Sequence, residues 1–189
     1  MNIYDLYPDE IEVEGRVYRL NMSFDRVLRA IDVQERQDLL TEDKIDLQAR
    51  LLLWDEKDCP SDPVEQAKIV AGALALLPES ENPTGERYID FHQDAAMIRS
   101  AFFRIGVDLT REHLHINQFL ELLADLPSDT ALMRTIEIRR RPIPKATKDN
   151  AEQIAALLEA KSRVAIRMSE DERRARFAES LKKSSVMRG

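Results

Sequence analysis

Three histidines and their acidic neighbours are the residues in this chain whose types best suit metal binding. His92 lies two residues from Asp90 and two from Asp94, and His113 lies two residues from His115. Residues two apart on a helix point about 200° away from each other, so neither set converges on one ion unless its segment is extended. Aspartate near a helix N-terminus also has a simpler role, because it offsets the helix dipole. We therefore predict structural histidines, with no metal site and no cofactor.

Nucleophilic catalysis would need an activated cysteine or serine. Cys59, the only cysteine, follows the acidic segment 55–58, and nearby carboxylates raise the pKa of a thiol and make it a poorer nucleophile. No serine lies in a Gly-x-Ser-x-Gly turn. The five glycines are too far apart to form a phosphate-binding loop. These absences predict that the protein is not an enzyme.

Charge is divided unevenly along the chain, whose net charge is −7. Residues 1–138 contain 14 Lys and Arg against 28 Asp and Glu, and residues 139–189 contain 14 against 7. The acidic part argues against a nucleic-acid partner. Arg139, Arg140 and Arg141 could contact phosphates, but cations at a helix C-terminus explain the same run, and we favour that explanation. The basic end also suits an acidic neighbour, including another copy of this chain.

The elements that must position these residues are mostly helical. Residues 11–20 alternate apolar and polar side chains around Glu14-Gly15, which predicts a β-hairpin with Ile11 opposite Tyr18. Helical spacing and capping signals then predict a series of amphipathic helices. Their predicted starts are Ser23, Thr41, Asp62, about Phe91, Leu114, Ser128, Asp149 and Ser169. The helix from Thr41 should carry Ile45 and Trp54 on its apolar side, and the polar segment 79–87 should be a loop.

For some of these helices, the sequence also predicts which residue ends the helix and which side chains enter the core. Gly106 fits the C′ position of the helix from Phe91. Phe102 and Phe119 lie on the apolar faces of neighbouring helices and should be buried.

The fold class predicted is mainly α: a multi-helix globular domain with a small N-terminal β-hairpin and a C-terminal helical tail. We place a helical body at residues 1–145 and a basic helical appendage at 146–189, after the Pro142-Ile143-Pro144 connector. No apolar run approaches about 18 residues, so we expect no membrane partner. The N-terminus lacks a basic signal region, so we expect a cytoplasmic protein.

Several segments together resemble the phage gene-product-fifteen family of long-tailed phages and prophages of Gram-positive bacteria. The most specific are Arg87-Tyr-Ile-Asp-Phe-His-Gln-Asp through Phe102, Gly106-Val-Asp-Leu109, Leu122-Leu-Ala-Asp-Leu126 and Thr135-Ile-Glu-Ile-Arg-Arg-Arg-Pro-Ile-Pro-Lys145. The opening Val13-Glu-Gly-Arg-Val-Tyr-Arg-Leu-Asn21 is also similar. The resemblance covers about residues 6–167.

The resemblance implies a tail assembly chaperone that binds the tape-measure protein, helps to recruit the tail-tube protein and is absent from the mature virion. It implies action in the cytoplasm of the host cell, without catalysis. The alternative is a structural tail or head–tail completion protein that stays in the virion. The sequence leaves open the oligomeric state and the residues that contact a partner.

Overall fold

The structure is a computed structural model that describes residues 7–78, 86–147 and 150–167. Its elements are β1 (Glu10–Val13), β2 (Arg16–Arg19), α1 (Phe24–Glu35), α2 (Thr41–Leu52), a 3-10 turn (Glu56–Asp58), α3 (Pro63–Ala75), α4 (Ala95–Arg104), α5 (Ile116–Ala124), α6 (Ala131–Arg140) and α7 (Ala151–Val164). The predicted fold class is confirmed: the molecule is mainly helical, with one N-terminal antiparallel hairpin and a C-terminal helix.

The chain separates into two compact units, each built from two stretches of sequence. Unit 1 takes the described residues of Met1–Thr84 and Phe102–Leu126, and unit 2 those of Gly85–Ala101 and Pro127–Gly189. The stretches of unit 1 contain 11 Lys and Arg against 23 Asp and Glu, and those of unit 2 contain 17 against 12. Each unit therefore carries its own sign of net charge. The predicted division at residues 145 and 146 stays a prediction.

The β-hairpin has the predicted register. Ile11 lies opposite Tyr18, and Glu14 and Gly15 form the turn with φ of 53° and 81°. Positive φ at both turn residues matches the right-handed twist of the strands, and glycine adopts it without steric cost. The Tyr18 hydroxyl donates to Glu65 Oε1 at 2.5 Å, which ties the hairpin to α3.

Packing in unit 1 runs from the hairpin through the helices. α3 packs on β1 and α2, and α1 packs on α2 and α5. Gly72 permits the close approach of the hairpin, because a Cβ there would lie 3.1 Å from Ile11 Cδ1. Phe119 stacks between Phe24 and Phe102, with ring centroids 4.8 and 5.1 Å away. The predicted burial of Phe102 and Phe119 is confirmed.

Helix starts agree with the sequence where the capping residue is local and strong. Asp62 caps α3 by accepting from the amides of Val64 and Glu65. Ser23 precedes α1 as predicted, but its side chain makes no capping hydrogen bond. Gly106 occupies the C′ position after α4 with φ of 85°, and Val107 N donates to Phe102 O as in a Schellman motif.

Other predicted starts are wrong by a few residues. The N-cap of α2 is Leu40 rather than Thr41, because Leu40 O accepts the first helical bond from Lys44 N. The N-cap of α6 is Thr130 rather than Ser128, with Thr130 Oγ1 accepting from Met133 N. Several hydroxyl and carboxylate residues compete at each helix start, and tertiary packing selects among them.

Two further helices begin closer to the C-terminus than predicted. α4 begins at Ala95 rather than Phe91, since residues 91–94 form a turn. α5 begins at Ile116 after an extended Leu114, and His115 is its N-cap. The N-cap of α7 is Asn150. Asp149, most of the predicted loop (79–85) and the helix predicted from Ser169 lie outside the described residues.

The prediction that Trp54 lies on the apolar side of α2 is wrong. The helix ends at Leu52, and Leu53 instead forms a β-bridge with Leu20 at the end of the hairpin. Trp54 N donates to Arg19 O, and the Arg19 guanidinium lies 4.3 Å from the centroid of the indole ring. The pairing of the backbone with the hairpin therefore leaves the indole 56% exposed.

In unit 2, α7 packs against α6. Residues 141–147, which include the predicted proline connector, lie between these helices without regular secondary structure, and all are exposed. No helix in the described ranges is long and apolar enough to cross a membrane.

Candidate partner-binding surfaces

An apolar concavity of unit 1 lies where α1, α2 and α3 meet, and we call it the α1–α3 groove. Its volume is about 430 Å³. Its lining residues are Ile31, Gln34, Ile45, Gln48, Ala67, Val70, Ala71 and Leu74. None of these side chains is charged, although they belong to the acidic unit. The groove is therefore a neutral, mainly apolar strip on a strongly anionic body.

Helical periodicity explains how three helices each contribute to this groove. The lining residues recur three or four positions apart on each helix, so each set shares one face. Ala67 and Ala71 have short side chains, which leave space in the groove. Gln48 is buried and held in place because its Nε2 donates to Ala30 O at 2.8 Å. The groove walls are thus fixed by packing and by a hydrogen bond to the backbone.

Two large apolar residues of these helices face the groove rather than the core. Ile31 is 41% exposed and Leu74 half-buried, and both line the groove. The signal that could have shown this is the alternation of large apolar residues with Gln34, Gln48, Ala67 and Ala71 on the same faces. Glutamine is mostly exposed in folded proteins, so glutamines on these faces indicate a surface rather than a fully packed core.

Unit 2 has a second concavity on α6, which we call the α6 cleft. Its volume is about 420 Å³, and it is lined by Ser128, Met133, Ile136, Glu137, Arg140, Arg141 and Pro142. Arg141 pairs with Glu137 at 2.8 Å, and the Arg140 guanidinium lies 5.7 Å from the Tyr88 ring centroid. The cleft therefore joins an apolar floor to two arginines.

The first residue of the basic run, Arg139, has a different role from the one predicted. Its guanidinium forms a two-point ion pair with Asp94 at 2.5 and 2.9 Å, and the two side chains are only 6% and 0% exposed. Arg139 also donates to Tyr88 O and Val164 O. It is a buried cross-link in unit 2 rather than a solvated cation at a helix end.

The remaining residues of the first histidine group do not converge on one point. Asp90 Oδ1 accepts from the backbone amides of His92 and Gln93, and these bonds, together with the Arg87 charge, hold the pKa of Asp90 below its usual value despite partial desolvation. His92 is exposed, whereas Asp94 is fully buried. The carboxylates thus serve the turn and the ion pair.

His115 and His113 lie in different environments. The segment is extended here, so the helical restriction does not apply, yet His113 is exposed and His115 half-buried. His115 Nδ1 accepts from Asn117 N at 3.1 Å and caps α5, and its ring stacks on Tyr7 at 4.8 Å. Desolvation lowers the pKa of His115, against the opposing charges of Asp9 and Glu121. The neutral imidazole is the form that can cap the helix.

Cys59 has a raised pKa, but chiefly for a different reason from the one predicted. Burial is the largest cause, and the Asp46 carboxylate adds to it, while Arg50 and a hydrogen bond from Gln66 act in the opposite direction. The Gln66 amide lies 3.6 Å from the sulfur. The thiol is thus a partly buried, protonated group beside α3.

A protein site for a metal ion such as zinc needs three or more ligating side chains close together. Across residues 7–78, 86–147 and 150–167, no three His, Cys, Asp or Glu side chains are arranged to hold an ion. The α1–α3 groove and the α6 cleft are concavities with a shape suited to binding a partner.

Comparison with known proteins gives one match. No curated protein and no solved structure matches the chain. The model of the family described as bacteriophage Gp15 protein matches residues 3–166, which is most of the 189 residues. This agrees with the resemblance carried by the segments between Arg87 and Lys145. The chain belongs to the bacteriophage Gp15 protein family.

Proposed function

We propose that this phage protein is a tail assembly chaperone that binds the tape-measure protein and assists assembly of the tail tube. The observation that carries the proposal is the α1–α3 groove, whose lining is uncharged and mainly apolar. An amphipathic helix can place its apolar face in such a groove. A long helical client exposes many such faces before assembly, and covering them would keep it soluble.

The charge of unit 1 supports the same function. Its 23 acidic residues against 11 basic ones give a strongly negative body around a neutral groove. Negative net charge opposes aggregation of a loaded complex. The proposed action is non-enzymatic, requires no cofactor and takes place in the cytoplasm of the host cell, with the tail-tube protein as a further partner.

The test is co-expression of the full chain with the tape-measure protein of the same phage, followed by affinity capture. Ala71 and Ala75 are both exposed residues of α3, but only Ala71 lines the groove. Ala71→Arg places a long cation in the groove and should reduce both captured and soluble tape-measure protein by about tenfold. Ala75→Arg makes the same change outside the groove and should behave like the parent.

Purified phage particles provide the second measurement. A chaperone should be absent from finished particles while the tape-measure protein is present. Equal capture by Ala71→Arg and the parent would contradict binding in the groove. Stoichiometric recovery of the protein from particles would favour a structural tail or head–tail protein instead.

A further inference from the structure

An exposed leucine lies at the start of α2 in unit 1. Leu40 is 75% exposed, the highest value among the large apolar side chains of the described residues. The next residues after Thr41 are Glu42 and Asp43, which are exposed acids in the first turn of α2. We call residues 40–43 the Leu40 corner. It presents an apolar tip together with two carboxylates.

The α6 cleft of unit 2 has the complementary chemistry. Met133, Ile136 and Pro142 provide apolar lining, and Arg140 and Arg141 provide two guanidiniums. Glu137 also lines the cleft and pairs with Arg141, which leaves the cleft with one positive charge in excess. Guanidinium groups recognise carboxylates through paired hydrogen bonds, and burying a leucine side chain is favourable. A cleft of about 420 Å³ has room for one such side chain with its neighbours.

We propose that the Leu40 corner of one molecule docks in the α6 cleft of a second copy. Charge favours this occupant on two scales. Locally, Glu42 and Asp43 would meet Arg140 and Arg141. Globally, unit 1 holds 11 basic against 23 acidic residues and unit 2 holds 17 against 12, so unlike units of two copies attract.

The interface is of the head-to-tail kind. Each molecule offers one corner and one cleft, so the contact uses different surfaces on the two copies and adds molecules into a chain or a closed ring. It shares no residue with the α1–α3 groove. A self-associated protein could therefore still bind a client.

The first test removes the apolar tip. Leu40→Ser should preserve the fold, because serine is a preferred N-cap whereas leucine is not. Val17→Ser, an exposed apolar position on β2, is the control. Sedimentation velocity should show the parent and Val17→Ser increasing in mass with concentration. Leu40→Ser should remain monomeric over at least a tenfold wider range.

The second test reverses the charges. Glu42→Arg and Arg140→Glu should each weaken self-association by about tenfold at low salt, and the two changes combined in one chain should restore it. High salt should weaken the parent, since screening reduces the attraction between exposed charges.

The third test establishes the head-to-tail geometry. Leu40→Ser retains an intact cleft and Arg140→Glu an intact corner, so an equimolar mixture can form only one productive contact. The expected product is a heterodimer that grows no further. The proposal is overturned if the parent is monomeric at every concentration, if Leu40→Ser associates like the parent, or if the mixture yields no dimer or larger species. Ala71→Arg should self-associate normally, so that failure here is distinguishable from failure of the groove.

Discussion

Asp94 and Arg139 form an ion pair that is almost completely buried. Losing one of these two charges should therefore cost more stability than losing a charge at the surface. Each partner has been removed from water, so deleting one leaves the other charged, desolvated and unpaired. Surface pairs such as Arg163–Glu159 keep their hydration and contribute little.

We therefore predict that Asp94→Ala and Arg139→Ala each lower the free energy of unfolding by about 3–5 kcal/mol. Replacing both together, as Asp94→Leu with Arg139→Met, should cost less than the sum of the single changes. Glu159→Ala is the exposed control and should cost less than about 1 kcal/mol. Urea unfolding of the four variants and the parent measures all of these values. Additive costs at positions 94 and 139 would show that the two charges are not coupled.

Sequence reasoning named both residues but not their pairing. Asp94 was interpreted as a carboxylate near a helix start, and Arg139 as a cation at a helix end, which are local roles available to each. The two lie 45 positions apart, and no local pattern distinguishes Arg139 from Arg140 or Arg141. Only tertiary packing selects which of three adjacent arginines is buried.

At the scale of elements, the sequence predictions agree with the structure where the residues that determine an element are close together in sequence. The hairpin register depends on a two-residue turn and on alternation within ten residues, so it was predictable. Trp54 was not, because the end of α2 is set by pairing of Leu53 with Leu20, more than thirty positions away. The groove was missed for a related reason: helical periodicity identifies an apolar face but not whether another element covers it.

The start of α5 should make stability depend on pH. His115 Nδ1 accepts the Asn117 amide hydrogen only while the imidazole is neutral, and desolvation lowers its pKa from the ordinary 6.5. Below about pH 6.5 the unfolded chain gains a proton that the folded chain resists. The free energy of unfolding should therefore fall as the pH drops from 7.5 to 5.5, and should level off below the folded pKa.

Substitution isolates this effect. His115→Asn supplies a preferred capping residue that does not titrate, so its stability should vary less between pH 7.5 and 5.5 than that of the parent. His113→Asn changes an exposed histidine two positions earlier and should retain the full dependence. Urea unfolding at the two pH values measures the difference. An identical pH dependence in all three proteins would assign the loss of stability to other groups.

At the scale of the whole molecule, the two units do not follow the order of the chain. Residues 85–101 belong with 127–189 rather than with the segments that flank them, and the change of unit at 101 and 102 falls inside α4. Such an arrangement cannot be read from composition or from proline-rich linkers, which mark boundaries only between units that are continuous in sequence. The division of charge seen along the sequence corresponds to a division between the two units, since unit 1 is net negative and unit 2 net positive.

Two truncations distinguish the predicted appendage from a part of unit 2. α7 packs on α6, Val164 O accepts from Arg139 Nε at 2.6 Å, and Lys161 Nζ donates to Arg139 O at 2.7 Å. Deleting residues 146–189 removes the Val164 carbonyl from a buried guanidinium and the Lys161 ammonium from the Arg139 backbone carbonyl. We expect the free energy of unfolding to fall by about 3 kcal/mol, which corresponds to a melting temperature about 6–12 °C lower.

Deleting only residues 169–189, which lie outside the described residues and form a mostly charged sequence, should leave the melting temperature nearly unchanged. If the longer truncation melts like the parent, α7 is an appendage, as the boundary after residue 145 implies. If the shorter one unfolds the protein, the basic end belongs to the core.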